Sequence, residues 1–312
     1  MKRRLLNGKI RKITATLLAV TLAAGTMGVL SGCQLSESSS DTSKSADSAD
    51  KSSDDSTDDV QEINIGISST SSKNHYFEDD GTETGFEYEL IKELDDALLQ
   101  YKFNIVTEEF SSLFVSLDSD NVSAVFGNLR RSDERDAGYI HTYRAYNYSP
   151  YRVLVEEDNT TINSIDDLDG KKLGLSQGSL QALILEEYQK EHNISIEYVY
   201  TKDYTNDLVS GKIDAFIAPE FDLEKYNTSF DDIKFKIVGD VVAGESGPTA
   251  DSNTYVYLAK GSEQLRDDLS DAIYELRENG KLSELSTKFY GEDYTARIET
   301  EHEDELLKEA GK

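Results

Sequence analysis

Hydrophobic positions along the middle of the chain alternate for short stretches and then recur at helical spacing. Ile63, Ile65 and Ile67 alternate with polar residues as a strand does. Phe86, Leu90, Ile91, Leu94 and Leu98 mark one face of a helix, and Tyr101, Phe103 and Ile105 alternate again. Strands separated by a helix predict parallel pairing. A short helix over Ser111–Leu117, capped by Ser111 or Ser112, and a third strand at Val122–Phe126 complete a first lobe.

A second series begins at Tyr151–Val155. It continues through a Ser164-x-x-Asp167 start signal, strand Leu173–Leu175, helix Ser179–Glu191 and strand Ile194–Tyr200. Helix Asp203–Ser210 and strands Ile213–Ala218 and Ile233–Val238 follow. Thr254–Leu258 reads as one more strand. Two amphipathic stretches, Glu263–Asn279 and Leu282–Tyr290, come after it, separated by Gly280 as a helix stop. The pattern is that of an α/β protein in two lobes; periodicity alone does not say which lobe the last segments join.

The two ends differ from this middle. Lys2, Arg3, Arg4, Lys9, Arg11 and Lys12 precede an uncharged run from Ile13 to Leu30, the order of an export signal. The run ends in Leu30-Ser31-Gly32-Cys33, which resembles the lipobox of bacterial lipoproteins. That resemblance implies a signal peptide over 1–32, a palmitate-bearing lipidated Cys33, and a protein anchored on the extracytoplasmic face of the cell membrane. An uncleaved membrane helix is the competing reading, because eighteen residues stand at the spanning threshold. Residues 34–60 are nearly all Ser, Asp, Lys, Thr and Ala, too polar to form a core, and read as a tether. Residues 294–312 are a charged C-terminal tail or a short helix.

Charge and cysteine count narrow the chemistry. With 61 acidic against 32 basic side chains, the formal charge is -29, which disfavours nucleic acid and anionic surfaces. A single cysteine rules out an internal disulfide and every multi-cysteine metal centre. The four histidines, His75, His141, His192 and His302, show no metal-ligand spacing, and there is no phosphate-cradling glycine loop. No cofactor is implied. Gly174-Leu175-Ser176-Gln177-Gly178 spells the G-x-S-x-G of hydrolases, but no oxyanion segment and no histidine in a plausible triad setting accompany it.

Six segments in order resemble family 3 of the bacterial extracellular solute-binding proteins, the amino-acid-type receptors of ABC importers. They are Thr84-Gly85-Phe86-Glu87-Tyr88-Glu89-Leu90, Asp133-Glu134-Arg135, Ile165 to Gly174, Gly178-Ser179, Gly211-Lys212-Ile213-Asp214-Ala215, and Asn279-Gly280-Lys281-Leu282 with Lys288-Phe289-Tyr290-Gly291. The resemblance covers about residues 61–293. It implies the type II, periplasmic-binding-protein-like fold: two lobes, each a mixed, mainly parallel sheet flanked by helices, joined by two hinge crossovers. The implied layout is lobe 1 over 61–151, lobe 2 over 152–251 and a return to lobe 1 over 252–293. It further implies a monomer that hands an amino acid to a permease and its ATPase subunit without chemistry of its own. A dehydratase acting on a cyclic amino acid, or a sensor module, would use the same fold.

Residue by residue, the resemblance places Arg135 where a family arginine grips the ligand α-carboxylate, a task suited to a bidentate guanidinium. Ser179, after Gly178 at a helix start, is either a helix cap or a ligand contact. Asn128 in Phe126-Gly127-Asn128-Leu129 is close to a pattern of cystine-binding members, or is a plain loop asparagine. Phe110, His75 and Tyr76 stand near family aromatics that stack on ligand side chains, with core packing as the alternative. Pro219 occupies the position of the usual ammonium-binding aspartate, and the neighbouring Glu220 is the candidate replacement or a solvated acid. A polar amino acid, cystine in particular, is the implied ligand.

Overall fold

The computed structural model describes residues 60–68, 72–244 and 249–312. The signal segment, Cys33 and the tether up to residue 59 lie outside the described residues.

Strand Gln61–Ser68 sits inside the first sheet and pairs in parallel with Tyr101–Glu108 on one side and Ala124–Phe126 on the other. The sheet is completed by Tyr257–Leu258, antiparallel to Ala124–Phe126, and by Ile140–His141 at its edge. Alternation explains the packing: Ile65 and Ile67 are fully buried, and helix Phe86–Ala97 covers them with Phe86, Leu90, Ile91 and Leu94. Each such side chain contributes about 1.5–3 kcal/mol by leaving water. Gly85 begins this helix at φ 131, and a Cβ there would lie 2.4 Å from the Asn74 carbonyl oxygen. Only glycine allows the loop to rest on the helix start, where Phe86 and Glu87 N–H groups donate to Lys73 and Asn74 carbonyls at 3.0 and 2.9 Å.

The second sheet runs in the order Glu197–Tyr200, Lys172–Leu175, Ala215–Pro219, Tyr151–Glu156, Phe235–Val238. The first three strands are parallel, and Tyr151–Glu156 pairs antiparallel with both of its neighbours. Strand Glu197–Tyr200 starts later than its apolar pattern suggests. Asn193 takes a left-handed φ of 54, and the Gln189 side chain accepts the Ile196 N–H at 2.6 Å, so the ladder begins only after it.

The segment predicted as one strand over Thr254–Leu258 is two. Asn253–Thr254 pairs with Asn147–Tyr148, and Tyr257–Leu258 joins the first sheet. The chain changes partners because it runs beside the outgoing crossover first and reaches the lobe-1 core second. Ser111 and Ser112 form part of a 3-10 turn, Phe110–Ser112, ahead of helix Leu113–Asp118, and Ser112 makes no side-chain cap bond.

The acidic C-terminal stretch folds onto the first lobe as helix Thr300–Glu309. Leu306 joins Leu113, Val125 and Tyr257 in one apolar cluster. Glu303 is fully buried, where its carboxylate accepts from Arg277 at 2.8 Å, Arg144 at 3.0 Å and the Ala145 N–H at 2.8 Å. Removing one partner of a buried ion cluster leaves the others unpaired. Glu303→Ala should therefore cost about 3–5 kcal/mol, read as a lower urea midpoint at unchanged slope; an unmoved midpoint would contradict the assignment.

Candidate functional site

The sheets face each other across a cavity of about 560 Å³. Two antiparallel crossovers connect them, with the Ser149 N–H donating to the Ser252 carbonyl at 2.7 Å and the Tyr146 N–H to Thr254 at 3.0 Å. Other contacts draw the lobes together. The Lys73 ammonium meets Glu224 at 2.8 Å, the Phe221 ring stacks on Tyr290 at 4.1 Å, and Lys202 pairs with Glu109. The arrangement is closed.

Arg135 lines the cavity from the first lobe. It stands on the short helix Asp133–Gly138, whose cap residue Ser132 accepts the Arg135 N–H at 3.3 Å. Its Nη1 donates to the Arg130 carbonyl at 2.6 Å, and its guanidinium lies 5.5 Å from the Phe114 ring centre. Among the described residues it forms no ion pair with a carboxylate, so a half-buried positive fork lines the cavity. Burial lowers its pKa, but from so high a value that it stays charged at neutral pH.

Ser179 lines the opposite wall, at the start of helix Leu180–His192. Its hydroxyl makes no cap bond; the Oγ is buried and has no partner among the described residues. Asn128 is held at φ 56 by three bonds. Its N–H donates to Glu87 Oε1 at 2.6 Å, and its Nδ2 donates to Ser149 Oγ at 2.6 Å and the Tyr151 hydroxyl at 3.2 Å. This leaves Asn128 Oδ1 buried and unpartnered at the cavity wall. Phe110 also lines the cavity, half-buried.

His75, Tyr76 and Glu220 lie elsewhere. His75 is 1 % exposed, with Nδ1 2.8 Å from the Ser68 carbonyl and Nε2 2.6 Å from Glu83 Oε1, and its ring stacks on Tyr88. Tyr76 pairs with Thr84 in a two-residue ladder and packs on the lobe-1 core. Neither borders the cavity; Ser72 and Asn74 of the same loop do, because the loop turns its polar residues inward and its rings onto the core. Glu220 is clamped by Arg152 at 3.1 Å and Arg297 at 2.6 Å, and it too stands outside the cavity wall.

The acid at the site is Asp222. Pro219 opens a 3-10 turn, Glu220–Asp222, and residues three apart in such a turn lie above one another. Pro219 and Asp222 therefore both face the cavity while Glu220 points away. Asp222 is 1 % exposed; its Oδ1 accepts the Lys73 N–H at 2.9 Å and its Oδ2 has no partner among the described residues. Burial pushes its pKa up to about 6. Sequence reasoning passed over it for want of the turn, although a proline at the usual aspartate position was the available signal. Glu87, the acid of the Thr84-Gly85-Phe86-Glu87 motif, is also buried at the cavity and shifted upward by burial, but its Oε1 is used by Asn128 and Tyr146.

The cavity thus presents the guanidiniums of Arg130 and Arg135, the carboxylates of Asp222 and Glu87, a serine hydroxyl and an amide oxygen, with Phe110, Tyr151 and Tyr204 supplying aromatic surface. Ser176 of the G-x-S-x-G segment meets the Tyr204 phenol at 2.6 Å, a group that is no general base at neutral pH.

Residues 63–292 match the family model for bacterial extracellular solute-binding proteins, family 3. The chain belongs to that family. Solute-binding proteins of this family work outside the cytoplasm. It is 34 % identical over 240 residues to the L-cystine-binding protein TcyK of Bacillus subtilis, covering 76 % of this chain and 86 % of that protein. The L-cystine-binding protein TcyJ of the same organism is 32 % identical over the same length and shares. A solved putative L-cystine ABC transporter protein from Listeria monocytogenes superposes with a TM-score of 0.69 at 33 % identity, covering 75 % of this chain and 98 % of that one. This solute-binding protein shares the type II fold of these structures.

The Asp222 shift makes a stability prediction. An acid whose folded pKa is raised binds its proton more tightly when folded, so it destabilises the fold as pH climbs from about 3.8 to about 6. That shift amounts to roughly 3 kcal/mol at about 1.4 kcal/mol per unit. Ligand-free Asp222→Asn should match the parent near pH 4 and exceed its melting temperature above pH 6; parallel curves at all pH values would refute it.

Proposed function

We propose that this solute-binding protein captures a free amino acid between its lobes and delivers it unchanged to an ABC permease driven by a cytoplasmic ATPase. The observation that carries the reading is the set of unpaired polar atoms around one cavity. Arg135 offers a fork for the α-carboxylate from the first lobe. Asp222 offers Oδ2 to the ammonium and Ser179 a hydroxyl, both from the second. Charge-assisted hydrogen bonds contribute about 1.5–3 kcal/mol each, and a micromolar complex needs roughly 8 kcal/mol. Three or four such contacts suffice. Because they come from both lobes, only the shut form collects them all.

L-Cystine is the preferred candidate. Two relatives above 30 % identity carry that ligand in their names. A cavity of about 560 Å³ also has room for more than a small amino acid, and the aromatic walls suit a disulfide-bridged chain. The lipobox-like Leu30-Ser31-Gly32-Cys33 supports anchoring to the membrane by palmitate and further acyl chains on Cys33.

A thermal-shift screen of the free amino acids and cystine should give its largest rise in melting temperature with L-cystine. Arg135→Ala should then weaken calorimetric affinity at least a hundredfold with the circular dichroism unchanged, and an unaltered affinity removes Arg135 from the site. In a bacterial host, Cys33→Ala should move the protein out of the membrane fraction and abolish labelling by a palmitate analogue. Retention of both properties would show that Cys33 is not the anchor.

A further inference from the structure

Arg130, just beyond strand Ala124–Phe126, has a position that a mere surface arginine does not take. It is 1 % exposed and borders the cavity. Its Nη1 donates to the Val242 carbonyl at 2.9 Å and its Nη2 to the Thr249 carbonyl at 2.8 Å. Both carbonyls belong to the segment that leads from the second lobe back to the first. The Val242 N–H in turn donates to the Tyr151 carbonyl at 2.8 Å, so the guanidinium is one bond removed from the outgoing crossover as well. On its other side, the Arg130 carbonyl holds Arg135 Nη1 at 2.6 Å.

This arrangement is incomplete in charge. Arg130 forms no ion pair among the described residues and its Nε is buried without a partner among them; the nearby Asp251 carboxylate attracts it but also meets His302 Nδ1 at 2.7 Å, and the second guanidinium, Arg135, repels it more weakly. Two carbonyl dipoles do not offset a cation removed from water. Burial lowers its pKa to about 10, which still leaves it charged at neutral pH. Two events relieve the strain: opening of the cleft, which admits water, or entry of an anion beside both guanidiniums.

We propose that Arg130 is a positioning residue that makes closure of the lobes conditional on an anionic group of the ligand, its guanidinium tying the return crossover to the wall that receives that group. The inference rests on the amino-acid-binding reading above and extends it: the empty protein favours the open form because closing strands two like charges, and the ligand carboxylate cancels that penalty. Selectivity for a free carboxylate over a neutral ester is then a property of two arginines.

The test uses the full chain, with L-cystine and L-cystine dimethyl ester as probes, and the variants Arg130→Met, Arg130→Gln and Arg130→Lys. Calorimetry gives the ratio of affinities for acid and ester, and X-ray scattering gives the contraction on binding. The parent should prefer the acid at least a hundredfold and contract. In Arg130→Met that preference should fall at least tenfold, and the ligand-free form should be as compact as the bound one. Arg130→Lys should keep the preference and lose at least tenfold in affinity, since an ammonium cannot span both carbonyls. Should the methionine variant fail to fold, Arg130→Gln is the neutral form that still reaches one carbonyl, and it carries the same expectation. A parent that binds neither probe overturns the functional reading and this inference with it. A parent that binds, beside a folded neutral variant whose acid-to-ester ratio stays within twofold, overturns this inference alone.

Discussion

Everything in this protein turns on the cost of taking polar atoms out of water without giving them partners. Four such atoms, Asn128 Oδ1, Arg130 Nε, Ser179 Oγ and Asp222 Oδ2, belong to residues around a single cavity. Each unsatisfied group costs about 1–3 kcal/mol, more where it is charged. Together they are comparable to the roughly 8 kcal/mol of a micromolar complex. The fold does not avoid this penalty; it concentrates it where two lobes meet, with Asn128 and Arg130 on one side and Ser179 and Asp222 on the other.

The surrounding structure makes that concentration tolerable. The two lobes have separate apolar cores, with Ile65, Leu90 and Leu269 in one and Val153, Leu173 and Ile217 in another. Between them run only short crossovers, Asn147–Tyr148 beside Asn253–Thr254. The incoming crossover is fastened from the far side by the C-terminal helix, whose His302 Nδ1 stands 2.7 Å from Asp251, while Glu303 is locked between Arg144 and Arg277. Thus the acidic stretch beyond the family match braces the hinge from the lobe-1 side, and relative motion is left to the few residues of the crossovers themselves.

The α/β class and the family were legible because both depend on local pattern. Gly85 shows why a motif can carry so much: Thr84-Gly85-Phe86 is fixed by the absence of space for a Cβ against the Asn74 carbonyl, and this holds the loop that lines the site. Arg135, Ser179, Asn128 and Phe110 border the cavity because each lies at the end of a strand or the start of a helix, where position along the chain specifies position in space. His75 and Tyr76 lie at a two-residue ladder and Glu220 in a 3-10 turn, elements too short for spacing to fix direction. A single 3-10 turn after Pro219 exchanges Glu220 for Asp222, and periodicities of two or 3.6 cannot register a turn of three. Arg130, which by default reads as a surface arginine, is 1 % exposed, and its burial was illegible for another reason. Its partners, Val242 and Thr249, are more than a hundred residues away, and both bonds go to backbone carbonyls, which leave no trace in side-chain identity.

A formal charge of -29 stands against the proposed capture of a carboxylate. At physiological ionic strength charge is screened beyond about 8 Å, so the distant acids of the surface contribute little inside a closed cleft. The charges that line it are Arg130, Arg135, Lys202 and Lys225 on one side of the balance and Glu87, Glu109, Asp203 and Asp222 on the other. A zwitterion has no net charge for the outer field to repel, and it meets its complementary groups only after entering. A solute with net negative charge must cross the acidic exterior before it reaches the guanidiniums. On the proposed reading the surface and the pocket act in sequence: the first disfavours anions at long range, and the second favours a carboxylate at contact, a combination that a zwitterionic amino acid satisfies and a simple anion does not.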